Sequence, residues 1–320
     1  MKSTIEFSIV LPLYNKAGSI GRTITTILNQ SHRQFELIIV NDGSTDGSEK
    51  VVSNFDDSRI KIISQKNQGV SVARNTGIKA AKHDLIAFID GDDMWHQDYL
   101  ITISKMHEVE PTAHCYSTNW ISWTVDKPIS NEKVQFDKNQ VVMLDYIASS
   151  INEVAVHICS IVVKKNIAIQ IGGFPKGVKF LEDQDFCCRL AELGLFQNYN
   201  RALVYYVKDS ENRACQTRSV VNDMPPHYKK CESIMLTYPK KGSEGWHLKE
   251  YLITRYLSEF SVAAQTPGER RKAVRWWLLC RRTKLSRFRF WKGIAYLLAP
   301  ASVLRFLVSR IPSGLSLKAE

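Results

Sequence analysis

The stretch AFIDGDDMW, Ala87 to Trp95, decides how the rest of the chain is read. An apolar run ends in three carboxylates within four residues, Asp90, Asp92 and Asp93. Charge that dense does not belong inside a core. It marks the point where a buried strand reaches the edge of a sheet.

Upstream, the same grammar repeats. FSIVLPLYN is an apolar run of strand length, and Ile20, Ile24, Ile27 and Leu28 follow helical spacing. FELIIVNDGS is a second strand, and STDGSEKVVSNF starts a helix with Ser44, Thr45 or Asp46 as N-cap. RIKIISQ reads as a third strand, GVSVARNTGIKAA as a third helix and DLIAFID as a fourth strand. Strands that are apolar on both faces and alternate with helices predict a parallel α/β sheet. In such sheets ligands lie beyond the carboxyl ends of the strands. Tyr14 and Asn15, then Asn41, Asp42 and Gly43, then Asn67, then Asp90 to Asp93 follow the four strands. Four strand ends therefore deliver polar groups to one crevice.

Downstream the pattern is less regular. Tyr99 to His107 reads as a helix, HICSIVVKK as a strand, EDQDFCCRLAELG as a helix and NRALVYYV as a strand. Residues 220–265 read as helical with a break at Pro225-Pro226, and Pro267-Gly268 marks a boundary. The expected domains are 1–215, in two halves 1–100 and 101–215, and a helical region 216–320. The 320 residues, 44% hydrophobic, suffice for that core. FSIVLPLY is short and holds Pro12, so it reads as a strand, not a leader. The run Gly293 to Leu304 has 12 residues, short of the roughly 20 that span a bilayer. Seven cysteines without a C-x-x-C pair argue against a zinc site and for a reducing cytosol. Cys187 and Cys188 read as packing residues on a helix.

Three ionised carboxylates this close repel one another unless a cation joins them. Hard oxygen ligands suit Mg²⁺ or Mn²⁺, which also bind a substrate's phosphates. Gly91 lets the backbone approach a ligand. A solvated acidic turn is the plainer reading of such a motif; its place at the end of a buried strand, facing three other polar strand ends, favours the cation. No EF-hand spacing, no G-x-G-x-x-G after the first strand and no G-x-x-x-x-G-K-[ST] loop occurs. Asp42 suits a ribose hydroxyl or a base imide, or ordinary turn chemistry. Arg74 and Asn75 face the same edge, where Arg74 pairs with a phosphate or holds carboxylates. Glu182, Asp183 and Asp185 open a helix, where the dipole favours acids and a catalytic carboxylate is the functional reading.

In this order, SIVLPLYN, IIVNDGSTDGS, NQGVSVARNTGI, LIAFIDGDDMW and GGFPKGVKFLEDQDFCCRL resemble the family 2 glycosyltransferases of GT-A fold. The resemblance covers roughly residues 7–195. It implies an inverting transfer of a sugar from a nucleotide diphosphate, UDP first, to a hydroxyl of a glycan or lipid-linked acceptor in cell-surface polysaccharide synthesis. Carried over, Pro12, Tyr14 and Asp42 contact the nucleoside, Asn67, Arg74, Asn75, Gly91 and Asp93 line the nucleotide-sugar site, and Asp90 approaches the ribose or the metal's waters. Asp92, with Asp90, holds Mn²⁺ or Mg²⁺. Asp183 is the general base and Glu182 holds the acceptor. Many relatives carry a His after the sheet. Here YYVKDSENRACQ offers Lys208, Asp209 and Arg213 instead. His157, just before a strand, is structural or near the acceptor.

The formal net charge of +11 sits in one place: residues 268–310 hold 12 Lys/Arg and one acid. Interleaved with Trp, Phe and Leu, that segment suits an anionic membrane surface. Helices packed on the protein with their charges outward are the alternative, and no nucleic-acid module accompanies the charge. The expected location is cytoplasmic, peripheral on the inner face of the cytoplasmic membrane. Two other functions compete. A sugar nucleotidyltransferase is disfavoured by the missing Gly-rich phosphate loop. A non-catalytic membrane adaptor is disfavoured by the intact Asp90, Asp92 and Asp183.

Overall fold

The computed structural model describes residues 5–210, 224–266 and 268–282. The chain divides into two compact units, residues 1–217 and 218–320. The first is an α/β unit around a nine-stranded sheet. Its elements in chain order are β1 (Phe7–Leu13), α1 (Ile20–Leu28), β2 (Phe35–Asn41), α2 (Ser48–Ser53), β3 (Ile60–Ser64), α3 (Val70–Ala80) and β4 (Leu85–Phe88). There follow β5 (Met94–Trp95), α4 (Tyr99–Val109), β6 (Cys115–Trp123), β7 (Val141–Leu144), α5 (Tyr146–Ser149), β8 (Ile161–Lys164), α6 (Lys165–Gln170), α7 (Glu182–Ala191) and β9 (Phe196–Val207).

The strand order is β3-β2-β1-β4-β8-β6-β9-β5, with β7 also on β9. The first four strands run parallel, in register from Phe7↔Phe35 to Leu13↔Asn41 between β1 and β2. Beyond β4 the sheet is mixed: β8 is antiparallel to β4 and β6, while β9 runs parallel to β6 and antiparallel to β5 and β7. Every residue of β1 and β2 is buried. A fully buried Ile, Val or Leu contributes roughly 1.5–3 kcal/mol, and β1 alone supplies Ile9, Val10 and Leu11. Edge strand β3, read as apolar on both faces, is half exposed.

Helix α3 lies tightly on β1, because a Cβ at Gly77 would sit 2.3 Å from Val10 Cγ1. Helix α2 begins one to three residues later than the sequence suggests. Its N-cap is Gly47 in the left-handed region (φ 90°), and none of Ser44, Thr45 and Asp46 is the cap residue. Asp46 instead accepts the Ser48 N–H at 2.9 Å and clasps the chain after β1 through the Ala17 N–H at 2.9 Å.

The start of α7 is held by aromatic packing. Phe174 and Phe186 stack at 4.1 Å, and Phe88 meets both edge-on. Arg189 on α7 donates to Asp185 and to the Gly173 carbonyl, both at 2.8 Å. Cys187 and Cys188 are buried on the same helix.

The second unit holds α8 (Pro226–Cys231), α9 (Glu244–Gln265) and α10 (Arg270–Leu279). Pro226 opens α8 at the N1 position, where its missing N–H does no harm. Ser243 caps α9. Helix α10 packs on α9 through Ala273 and Trp276, the latter edge-on to Tyr256. Arg270, Arg271, Val274, Arg275 and Leu278 are exposed. Among the described residues no helix is long and apolar enough to cross a membrane. Residues 283–310 of the basic segment, with Pro267 and Arg213, lie outside the described residues.

Candidate active site

A cavity of about 820 Å³ opens beyond the carboxyl ends of β1, β2 and β4. Its lining comes from Pro12 and Tyr14 after β1, Asp42 after β2, Asn67 to Arg74, Asp90 to Asp92, His157, Glu182 and Asp183, and Tyr206 on β9.

The turn after β4 is fixed by α1. Ser19 Oγ donates to the Gly91 carbonyl and Thr23 Oγ1 to the Asp93 carbonyl, both at 2.9 Å. The three carboxylates of the turn then diverge. Asp90 accepts Arg74 Nη2 at 2.7 Å. Asp92 Oδ2 accepts Lys16 Nζ at 2.6 Å and Ser210 Oγ at 2.8 Å. Asp93 turns into the core, 1% exposed. Its Oδ1 accepts the Val207 N–H at 3.0 Å, and Cys159 Sγ–H donates to its Oδ2 at 3.1 Å.

Arg74 joins the two sides of the cavity. It is 2% exposed, donates to Glu182 Oε1 at 3.0 Å as well as to Asp90, and lies 5.1 Å from the Phe174 ring. Burial works against its charge, but Asp90 and Glu182 hold its pKa above the usual arginine value. Burial likewise opposes the charge on Asp90, and Arg74 overrides it, leaving Asp90 below the usual carboxylate range. Burial pushes Asp93 well above that range, with Asp92 and Asp90 adding to it. Burial and then Asp183 push Glu182 up to about 7 against Arg74. Burial also lowers His157, against Asp90 and Asp183, and raises the Cys159 thiol, so Cys159 stays protonated.

Leu181, directly before these acids, holds a left-handed backbone (φ 67°). A branched side chain there is strained by roughly 1–3 kcal/mol, a cost met mostly at functional sites. It lets Glu182 and Asp183 start α7 at the cavity edge, where the helix dipole favours their charge. Asp183 Oδ1 accepts the N–H of Gln184 at 2.7 Å. Opposed carboxylates across one cavity, bridged by a buried arginine, can hold a cation-bound phosphate on one side and take a proton on the other.

Residues 8–150 match the family described as Glycosyl transferase family 2. The chain carries a family 2 glycosyltransferase domain. Glycosyltransferase GlyA of Streptococcus pneumoniae serotype 4 is 36% identical over 102 residues, 31% of this chain. The chain spans 15% of GlyA's length, and 14–38% of other curated relatives that it matches. Residues 1–349 of S. aureus TarS, solved with UDP-GlcNAc, align with a TM-score of 0.63 at 16% identity over 95% of this chain and 91% of that one. The mannosyltransferase PcManGT of Pyrobaculum calidifontis, solved with GDP-Man and Mn²⁺, aligns with a TM-score of 0.53 at 14% identity, covering 96% and 86%. At these identities the likeness is one of fold, and that fold is GT-A.

Pro12, Tyr14, Asp42, Asn67, Arg74, Asp90, Gly91 and Asp92, within the matched residues, and Glu182 and Asp183, beyond them, all line the cavity. Two residues carried over from the resemblance do not. Asn75 faces the core side of α3, where its amide accepts the Phe174 N–H and donates to the Phe174 carbonyl, both at 2.8 Å. Asp93, expected at the donor sugar, is the buried acid described above. Asp42 also holds the protein itself: its carboxylate accepts Gln65 Nε2 and the backbone N–H groups of Gln68 and Gly69 at 2.8–2.9 Å. This fixes the loop from β3 to α3. Asp209 accepts the Val125 N–H at 3.0 Å and takes no place in the lining. The neighbouring Ser210 reaches Asp92 instead. Sequence reading missed Lys16, Tyr206 and Ser210. For Lys16 a signal existed: a basic residue directly after Tyr14-Asn15, at a strand end facing the acidic turn.

Proposed function

We propose that the chain is an inverting, metal-dependent glycosyltransferase. Its donor is a nucleotide-diphosphate sugar, UDP-linked first, and its acceptor a hydroxyl of a glycan or lipid-linked glycan in polysaccharide synthesis. The observation that carries this reading is the Arg74 bridge from Asp90 at 2.7 Å to Glu182 at 3.0 Å. It sets the acidic turn and the acids of α7 across one cavity. Solved relatives of the same fold hold UDP-GlcNAc, or GDP-Man with Mn²⁺.

The residues divide by chemistry. Pro12, Tyr14, Asp42 and Asn67 form the nucleoside end, where Tyr14, 48% exposed, offers a ring face. Asp90 and Asp92 are hard oxygen donors suited to Mn²⁺ or Mg²⁺. When bound, such a cation neutralises negative charge on the departing diphosphate. Asp183 takes the proton of the acceptor hydroxyl as its oxygen bonds to the anomeric carbon from the face opposite the diphosphate. The bond from that carbon to the diphosphate oxygen breaks in the same displacement, which inverts the centre. Glu182, fixed by Arg74, orients the acceptor. Residues 1–100 serve the donor and 101–215 the acceptor, while residues 268–310 hold the enzyme to the inner face of the cytoplasmic membrane.

Thermal stabilisation by UDP, GDP, dTDP and their sugars, each with and without Mn²⁺, tests the reading. A ligand at 100 times its Kd stabilises by about 2.7 kcal/mol. A shift that needs both nucleotide and Mn²⁺ is expected. No shift with any millimolar nucleotide would overturn the donor site.

A further inference from the structure

We propose that Lys16 is a resident counter-cation on Asp92, and that it makes cation binding conditional on the donor. The inference rests on reading the cavity as a nucleotide-diphosphate site. The Lys16 ammonium lies 2.6 Å from Asp92 Oδ2, and both side chains are largely shielded, 14% and 13% exposed. The same oxygen accepts Ser210 Oγ at 2.8 Å. The other acid suited to a cation, Asp90, carries Arg74. A divalent cation arriving alone therefore meets two positive charges already seated on its ligands.

The backbone of Lys16 is anchored, and its side chain lies along the cavity wall. Its N–H donates to Ser48 Oγ at 2.8 Å, the next N–H reaches Asp46 at 2.9 Å, and Asn15 before it is left-handed (φ 49°). Gly91 flanks the stem: a Cβ there would sit 3.4 Å from Lys16 Cγ. Lys16 lines the same cavity as Arg74 and Asp92. A diphosphate carries more negative charge than one carboxylate and accepts an ammonium as readily. Donor binding draws Lys16 from Asp92 to the diphosphate and leaves Asp92 for the cation. Nucleotide and cation then bind cooperatively, each easing the entry of the other.

The test is Mn²⁺ affinity, read from the paramagnetic resonance of free Mn²⁺, for wild type, Lys16→Met and Lys16→Arg, with and without UDP. UDP binding is followed separately by thermal shift. Without nucleotide, Lys16→Met should bind Mn²⁺ about tenfold or more tighter than wild type, since it lacks a charge at contact distance. UDP should tighten Mn²⁺ about tenfold or more in wild type and clearly less in Lys16→Met. Lys16→Arg keeps the charge and should behave as wild type. Equal nucleotide-free affinities for wild type and Lys16→Met, in proteins that bind UDP, would overturn the role of Lys16 alone. Failure of every nucleotide to stabilise any of the three would instead overturn the donor site and the coupling with it.

Discussion

The turn after β4 and the first turn of α7 each present a group of acids to one cavity, yet they are held in opposite ways. In the turn, side-chain cations sit on the acids: Arg74 on Asp90 and Lys16 on Asp92. On α7 the shared Arg74 meets Glu182, and Asp183 next to it takes a backbone N–H. Burial and partners, not residue type, set the protonation of each group. Asp90 lies below the usual range, Glu182 rises to about 7, and Asp93, the residue after a paired acid, is forced far upward by burial. Adjacent identical residues thus become one acid at the cavity wall and one member of the core.

Asparagine substitutions give the largest expected separation. Asp92→Asn and Asp183→Asn should each lower the transfer rate by about 10³-fold or more. Only Asp92→Asn should also weaken Mn²⁺-dependent nucleotide binding, measured by thermal shift. Retained metal dependence in Asp92→Asn would break the contrast between the two groups.

Removing the shared cation comes next. Arg74→Ala leaves Asp90 and Glu182 facing each other without charge compensation, and unfolding in urea should show a loss of about 3–5 kcal/mol. A loss below 1 kcal/mol would mean that the bridge does not hold the two sides together.

The pH response sharpens the comparison on the α7 side. Glu182 binds its proton more tightly folded, at about 7, than unfolded, near its ordinary value of 4.5. Wild type should therefore be most favoured over Glu182→Gln below pH 4.5 and lose that advantage as pH rises through 7, by up to about 3 kcal/mol. Melting curves of both proteins from pH 5 to 8 measure the trend, and a gap that widens with pH would reverse the assignment.

Gly173→Ala should destabilise by roughly 1–3 kcal/mol. Its φ is +66°, and the new Cβ would lie 2.3 Å from Asn75 Oδ1, breaking the clamp on Phe174 under the Arg74 guanidinium. The smallest effect belongs to Asp93→Asn. The amide keeps an acceptor for the Val207 N–H, so binding and turnover should stay within about tenfold of wild type. A loss as deep as that of Asp92→Asn would put Asp93 back at the substrate.

The parallel strands β1 to β4 and their helices were readable because their apolar runs are long and their turns polar. β5, β6 and β7 were not. β5 has two residues, β7 has four, and β6 (CYSTNWISW) mixes polar residues into a strand whose neighbours come from distant sequence. Of the candidate site residues, those at strand ends fell on the cavity because a sheet edge fixes where they point. Asn75 and Asp93 were misplaced for one reason: a motif gives position along the chain, not the rotation of a side chain. Asn75 lies beside Arg74 on α3 yet faces Phe174. Ser210 could not be foreseen at all, since its contact with Asp92 spans 118 residues.

Strand β4 pairs with β1 over four residues on one side and with β8 over three on the other, where the sheet changes from parallel to antiparallel. That short strand is a natural splice point. Recombining the proposed donor half of one such chain with the proposed acceptor half of another there would leave each half's own pairings intact. Among the contacts that cross the junction is an ion pair: the arginine of α3 must find its glutamate at the start of α7. Chimaeras that keep this pair should fold and exchange acceptors, and those that lose it should fail first at assembly rather than at chemistry.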